Sequence, residues 1–119
     1  MVERKIYSNI SKHFGYRHLG FIFRSLVVLQ DSGFCYRKKR YSWKNVAGIE
    51  VIQKIIRDEG ETYGVGLGEI HLNSGKILLI KEQGLEREDG GRESGFSSAF
   101  DELLFELKKR HKHYLAKND

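Results

Sequence analysis

The side chains with the clearest chemical potential lie in a run of four consecutive cations at residues 37–40, with aromatic residues on both sides. A dense basic run can hold phosphate groups, and neighbouring aromatic rings can stack on bases or lie among lipid headgroups. A charged turn that keeps a sheet edge soluble would have the same composition, so both interpretations stay open. For Trp43, a role as a core or rim anchor is favoured over stacking. The candidate binding residues are Arg37, Lys38, Lys39, Arg40, Tyr41 and Trp43.

A second basic cluster lies near the C-terminus, in the last third of a predicted helix. Cations at the C-terminal end of a helix complement its dipole, which explains the cluster without any ligand. Nucleic-acid binding would require both basic clusters on one face of the molecule. The candidate residues of this cluster are Lys108, Lys109, Arg110 and Lys112.

Spacing along the chain predicts no metal site and no catalytic centre. His111 and His113 are two positions apart on a predicted helix and so point in different directions, and His71 has no partner nearby in the sequence. No Cys-x-x-Cys or His-Glu-x-x-His pattern occurs. The glycines of residues 64–68 lack the Lys-Ser/Thr of a phosphate-binding loop. We therefore expect no cofactor, no metal and no enzymatic activity.

Length and composition predict one soluble domain. With 119 residues, of which 39% are hydrophobic and 31% charged, the chain fits a single domain over 1–119 with its own core. No apolar run reaches the ~18 residues of a membrane span, and the first residues do not form a secretory signal. A single cysteine, Cys35, cannot form an intramolecular disulfide, so a cytoplasmic location is expected. Residues 1–57 are net basic and residues 58–95 net acidic, which predicts a polarised surface.

Short apolar segments separated by glycine and Asx turns predict about six strands. Asp31-Ser32-Gly33 and Asn73-Ser74-Gly75 are typical turn sequences, and Lys38-Lys39 is the expected connection inside the basic run. Gly64, Gly66 and Gly68 alternate on one strand face, which suits either sharp curvature of the sheet or a close approach of another backbone. The predicted strands are 25–30, 34–37, 40–43, 46–56, 68–72 and 76–80.

A period of 3.6 residues predicts an amphipathic helix over residues 96–115. Ser98 and Asp101 stand three positions apart, as in a capping box. Acidic side chains come early and basic ones late, which complements the helix dipole at both ends. The apolar stripe consists of Phe96, Phe100, Leu103, Leu104, Leu107 and His111.

Two segments have no clear pattern. Residues 81–95 combine charges of both signs with glycines and are predicted to form a mobile acidic loop. Residues 1–24 are treated as an N-terminal extension of uncertain structure. Ile6, Ile10 and Phe14 fit a short helix, while residues 16–23 could form a strand.

In the middle of the chain, predicted strands and turns follow one another in a characteristic order. An apolar strand at 26–30 leads to Asp31-Ser32-Gly33, an aromatic strand at 34–36 and a basic hairpin, then Tyr41-Ser42-Trp43 and a long strand from Val46. This order resembles the bacterial pleckstrin-homology-like (PH-like) domain, over residues 26–115. The resemblance implies an α+β, mostly β fold, a curled antiparallel barrel or sandwich closed by the C-terminal helix. The alternative is an α+β sheet with two helices, the extra one at residues 3–14.

Three functions are weighed. Since proteins of the PH-like fold are mostly binding modules, the first is a non-catalytic binding or scaffold module for a protein partner, a second copy of the chain included. Phe105 and Tyr114, expected off the apolar stripe, support it. The alternative is a binder of phosphate-bearing ligands through the hairpin 37–40, with a peripheral anionic lipid preferred to nucleic acid. An enzyme is third, because no motif requires one.

Overall fold

The computed structural model describes residues 12–90 and 95–117 of the chain. Within these residues, eight strands form two antiparallel sheets and one helix follows them, so the predicted α+β, mostly β class is confirmed. A short 3-10 turn at Trp43–Asn45 connects the sheets. The elements are β1 (Lys12–His18), β2 (Ile22–Leu29), β3 (Gly33–Tyr36), β4 (Lys39–Ser42), β5 (Val46–Asp58), β6 (Glu61–Leu72), β7 (Ile77–Lys81), β8 (Glu86–Arg87) and the helix α1 (Ala99–Lys117).

Consecutive strands pair as antiparallel hairpins within β1–β4 and within β5–β7, and β8 returns to pair with β1. The first sheet has the order β4-β3-β2-β1-β8, and the second has the order β5-β6-β7. The predicted hairpin turn between β6 and β7 is confirmed, with Gly75 at a φ of 96° that suits glycine. The side-chain amide of Asn73 donates a hydrogen bond to the carbonyl of Lys44 at 2.8 Å. This bond ties the β6–β7 turn to the 3-10 turn where the second sheet begins.

The hydrophobic core lies between the two sheets and under α1. Phe14 and Phe34 are fully buried, and Trp43 is 2% exposed, with its ring centre 5.4 Å from that of Phe34. The Trp43 indole N–H donates to the carbonyl of Asp31 at 3.1 Å, so its polar atom is satisfied inside the core. Trp43 is therefore a core anchor, which was the favoured interpretation of its sequence position.

Helix α1 packs its apolar stripe closely against β6. A Cβ atom on Gly68 would lie 3.2 Å from both terminal methyl groups of Leu104, and one on Gly66 would lie 3.1 Å from the ring of Phe100. Gly66 and Gly68 thus permit the close approach of α1 to β6. Leu103 and Leu107 are fully buried, and each contributes about 2 kcal/mol by the area it removes from water.

The helix begins at Ala99, three residues later than predicted. The Ser98 hydroxyl accepts a hydrogen bond from the backbone N–H of Asp101 at 3.1 Å, so Ser98 caps the helix as expected. The carboxylate of Asp101 accepts from the hydroxyl of Ser97. Phe96 precedes the helix and packs on Phe105, with ring centres 5.2 Å apart. From Phe100 to His111 the predicted stripe is buried.

The treatment of residues 1–24 as an extension is wrong for the part of them that the structure describes. Residues 12–24 belong to the first sheet, where β1 pairs with both β2 and β8. Phe14 lies in β1 and not in a helix. Its position between β2 and β8 buries it completely. The proposed strand at 16–23 is divided by a turn in which Leu19 and Gly20 have positive φ. Residues 1–11, which contain the rest of the helix prediction, lie outside the described residues.

Two connections also differ from the sequence prediction. The basic hairpin turns at Arg37-Lys38, not at Lys38-Lys39, because Tyr36 pairs with Lys39. Both turn residues have positive φ, 49° and 70°, the combination that matches the twist of the flanking strands but normally selects Asn-Gly. The loop predicted for 81–95 is interrupted by β8 and by Leu85, which is buried against the core. Residues 91–94 of that segment lie outside the structural description.

No helix in residues 12–90 or 95–117 has the length and apolar character needed to cross a membrane.

Candidate functional site

The basic hairpin presents its cations to solvent. All four side chains of residues 37–40 are exposed. The guanidinium of Arg37 lies 5.8 Å from the ring centre of Tyr36, and the ammonium of Lys39 lies 5.5 Å from that of Tyr41. None of the four forms an ion pair with a residue that the structure describes. Their positive charge is therefore available to an external anion.

The rings of Tyr41 and Trp43 are not available to an external ligand. Tyr41 is 8% exposed and stacks on Phe34, with ring centres 5.5 Å apart, while Trp43 lies in the core. Neither ring is therefore open to stacking on a base or headgroup in this structure: the alternation of β4 turns Tyr41 inward, and Trp43 has the core position that its sequence context favoured. Tyr36 is the half-buried aromatic residue beside the cations.

A cleft of about 380 Å³ opens beside the hairpin, where the outer edge of β7 faces the first sheet. No backbone ladder joins β7 to that sheet within the described residues. Two tyrosines bridge the gap instead: the hydroxyl of Tyr16 donates to the carbonyl of Lys81, and that of Tyr36 to the carbonyl of Leu79, each at 2.7 Å. The cleft is lined by Tyr16, Leu26, Tyr36, Arg37, Ile77, Leu79 and Lys81.

The Tyr16 end of this bridge keeps its proton at neutral pH. Burial raises the pKa of the Tyr16 phenol, and the hydrogen bond to Lys81 and the nearby charge of Arg37 only partly offset this effect. Tyr16 consequently stays protonated and remains a donor over the physiological range.

Charge and apolar surface meet at the mouth of the cleft. Arg37, on the hairpin, and Lys81, on β7, are exposed cations that line the cleft. Ile77 and Leu79, each 44% exposed, line it as well. This combination suits an anionic group attached to an apolar one. Arg37 was a sequence-predicted site residue, but Lys81 was not. No sequence signal identifies Lys81, because the cleft draws its residues from β1, β2, β3, β7 and the hairpin turn.

In the second basic cluster, Arg110 has a structural role and the three lysines are exposed. Arg110 donates to the carboxylate of Glu106 and to the carbonyl of Gln30, both at 3.2 Å, so it links α1 to the end of β2. Burial raises the pKa of Glu106, but Arg110 and Lys12 act in the opposite direction and hold it below its ordinary value. The exposed members are Lys108, Lys109 and Lys112, beside a groove of about 930 Å³ that Phe105 also lines.

The two basic clusters lie at opposite ends of β3. Arg110 reaches the β2–β3 turn through Gln30, whereas Arg37 follows the other end of β3. The length of β3, four residues, separates the two clusters.

Sequence reasoning also missed a buried ionic contact under α1. The carboxylate of Glu102 is fully buried and lies 3.2 Å from the ammonium of Lys12 and 3.1 Å from the guanidinium of Arg87. These three groups join α1 to β1 and β8. Glu102 occupies an ordinary polar position in the helical sequence, and only the neighbouring strands determine its burial.

Comparison with known proteins finds no matching family model, no matching curated protein and no matching solved structure. The function is therefore inferred from the chain's own residues and their geometry.

Proposed function

We propose that this protein is a non-catalytic binding module with a PH-like fold, which self-associates by strand addition along β5. The proposal concerns the arm, defined as residues 53–65. There β5 and β6 pair with each other, and β7 does not extend alongside them. The single observation that supports it best is the unpaired outer edge of β5, a strand of 13 residues.

The arm has the features of an incomplete sheet. A ribbon of two strands is at best marginally stable in water by itself. Ile55 is 68% exposed, and Val51, on the same face at the root of the arm, is 42% exposed. Along the outer edge of β5, no described strand occupies the backbone hydrogen-bonding groups. An added strand would pair with these groups and cover the apolar side chains.

A second copy of the chain is the partner that fits this edge most directly. Two β5 strands can pair antiparallel around a twofold axis, so that the same edge is used on both copies. Each copy would then bring the exposed Val51 and Ile55 close to the interface. Phe105, which is 51% exposed on α1, is a further apolar side chain outside the core.

The fold itself supports a binding role. Two antiparallel sheets and a C-terminal helix that packs across them are the elements that the PH-like resemblance implies. The Asp31-Ser32-Gly33 turn, the basic hairpin and Trp43 occur in the expected order between β2 and β5. The strands β1 and β8 are additions to that pattern.

Self-association is tested by sedimentation equilibrium of the wild type and of Ile55→Lys. We expect a concentration-dependent dimer for the wild type and at least tenfold weaker association for the variant, since a charge would replace apolar surface in the interface. Leu115→Lys is the matched control, because it adds the same charge at a side chain that is 51% exposed on α1. A wild type that stays monomeric at all concentrations would contradict the proposal.

The second candidate function is the binding of a phosphate-bearing ligand at the basic hairpin. The observation that favours it is the pair of cations, Arg37 and Lys81, at the mouth of a cleft that also exposes Ile77 and Leu79. An anionic lipid combines the required phosphate with an apolar part. This candidate uses a different surface from the arm, so the two functions can be tested separately.

A further inference from the structure

Three potential metal ligands converge on the outer face of the second sheet. Glu50 lies on β5, and Glu69 and His71 lie on β6. The Nε2 atom of His71 is 2.9 Å from a carboxylate oxygen of Glu69 and 3.6 Å from one of Glu50. One ligand atom from each residue lies within 4.8 Å of the other two. Glu69 stands two residues before His71 on the same strand, and the β5–β6 pairing adds Glu50.

The strand register fixes this convergence. Glu50 pairs directly with Glu69, and Gly48 pairs with His71, so all four positions share one face of the sheet. A Cβ atom on Gly48 would have no other atom within 4 Å. The imidazole of His71 consequently has open space on the β5 side, through which it can turn toward Glu50.

The electrostatics of the two carboxylates, Glu50 and Glu69, favour a bound cation. Two carboxylates directly opposite each other on neighbouring strands repel and destabilise the sheet. Among the ion pairs of the described chain, His71 is the single group that both Glu50 and Glu69 contact. A divalent cation between the two carboxylates would replace this repulsion by attraction. The apolar side chains of Ile77 and Leu79, which pair with His71 and Glu69, would reduce the screening of that attraction by water.

We propose that Glu50, Glu69 and His71 form a binding site for a first-row divalent metal ion, with Zn²⁺ as the best-fitting ion. One imidazole nitrogen and two carboxylate oxygens are ligands that Zn²⁺ accepts. Tetrahedral bonds of its usual length place ligand atoms about 3.4 Å apart, which the observed 2.9 and 3.6 Å bracket. Three protein ligands leave the fourth position for water or another molecule.

The exposure of the three side chains fits an accessible site. The side chain of Glu69 is 15% exposed, that of His71 is 32% exposed and that of Glu50 is 64% exposed. Glu69 and His71 thus form a fixed pair on one strand, and Glu50 is free to adjust its position. The expectation of no metal considered spacing along the chain, and did not include contacts across strands.

The test is a calorimetric titration of Zn²⁺ into tag-free protein that has first been stripped with a chelator. We expect one ion per chain at neutral pH, and at least about tenfold weaker binding for His71→Ala and for Glu50→Gln. Glu50→Gln is informative because an exposed, isosteric change leaves the fold intact. His113→Ala is the matched control, since it removes an exposed histidine from α1, and its affinity should equal that of the wild type.

Two further measurements separate this site from nonspecific binding. Lower pH should weaken Zn²⁺ binding, because the imidazole and carboxylates bind the metal only when deprotonated. Mg²⁺ should bind more weakly than Zn²⁺, because it prefers a set of oxygen ligands. Absence of Zn²⁺ binding to the wild type, or equal affinities for the wild type and His71→Ala, would overturn the proposal.

Discussion

The body of this protein, which comprises the first sheet, α1, β7 and the parts of β5 and β6 outside residues 53–65, differs from the arm in how its polar groups are satisfied. In the body, even a buried carboxylate, that of Glu102, has two cationic partners, and the open edge of β7 receives two tyrosine hydroxyls. In the arm, the outer edge of β5 has no strand beside it in the described residues, and Ile55 is largely exposed. The body thus pairs its buried charge and the edge of β7 internally, whereas the outer edge of the arm is open among the described residues.

The basic hairpin lies between these two extremes. Its backbone belongs to the first sheet, but Arg37 and Lys38 occupy left-handed conformations that Asn and Gly would adopt with less strain. Their side chains have no acidic partner within the described chain. The hairpin thus combines local backbone strain with exposed positive charge.

The largest expected effect is on the body, from Glu102→Ala. Removal of this carboxylate leaves the positive charges of Lys12 and Arg87 beneath α1, so the free energy of unfolding should fall by about 3 kcal/mol. Urea denaturation measures the change. Glu88→Ala, which removes an exposed carboxylate near the same strand, should change stability by less than about 0.5 kcal/mol. Equal stabilities of the two variants would show that the buried contact does not hold α1 in place.

A smaller effect of opposite sign is expected at the hairpin. Replacing Arg37-Lys38 by Asn-Gly should raise the free energy of unfolding by about 1 kcal/mol, because the turn would lose its strain. The same variant should bind less to vesicles that contain anionic lipid, because two cations are removed. The matched control is the double variant Lys108→Gln, Lys112→Gln, which removes the same charge from α1. Undiminished vesicle binding by the Asn-Gly variant would remove the hairpin as the phosphate site.

The smallest effect concerns pH. Because the folded-state pKa of Glu106 lies below its ordinary value of 4.5, this group contributes stability above that value. The contribution is lost as the pH falls through the folded-state pKa. Glu106→Gln should therefore lower stability at neutral pH and show less further loss on acidification than the wild type. Urea denaturation at a series of pH values measures the difference, and parallel pH curves would contradict it.

Features encoded by neighbouring residues could be predicted from the sequence. The stripe from Phe100 to His111, the Ser98 cap and the turn before Lys76 all depend on residues a few positions apart. The predicted position of the turn in the basic hairpin is wrong by one residue. Arg37-Lys38 lacks the Asn and Gly residues that normally mark a turn of this geometry.

The remaining features depend on contacts between residues that are far apart along the chain. Lys81 reaches Tyr16 and the cleft through packing of the two sheets, and His71 meets Glu50 through the register of β5 and β6. Spacing along the chain specifies neither the packing of the two sheets nor the register of the long β5–β6 hairpin, so it could predict neither the cleft nor the approach of Glu50 to His71. Four of the six hairpin residues proposed from the sequence are exposed at the surface, and the other two, Tyr41 and Trp43, belong to the core.

The most direct test of strand addition is amide hydrogen exchange of residues 53–58 at low and high protein concentration. If a second copy pairs with β5, its outward-facing amides should become protected as the concentration rises, because they acquire hydrogen-bond partners only in the dimer. The amides of β2, in the interior of the first sheet, should be protected to the same degree at both concentrations. Exchange in residues 53–58 that is equally fast at every concentration would contradict the self-association proposed for this protein.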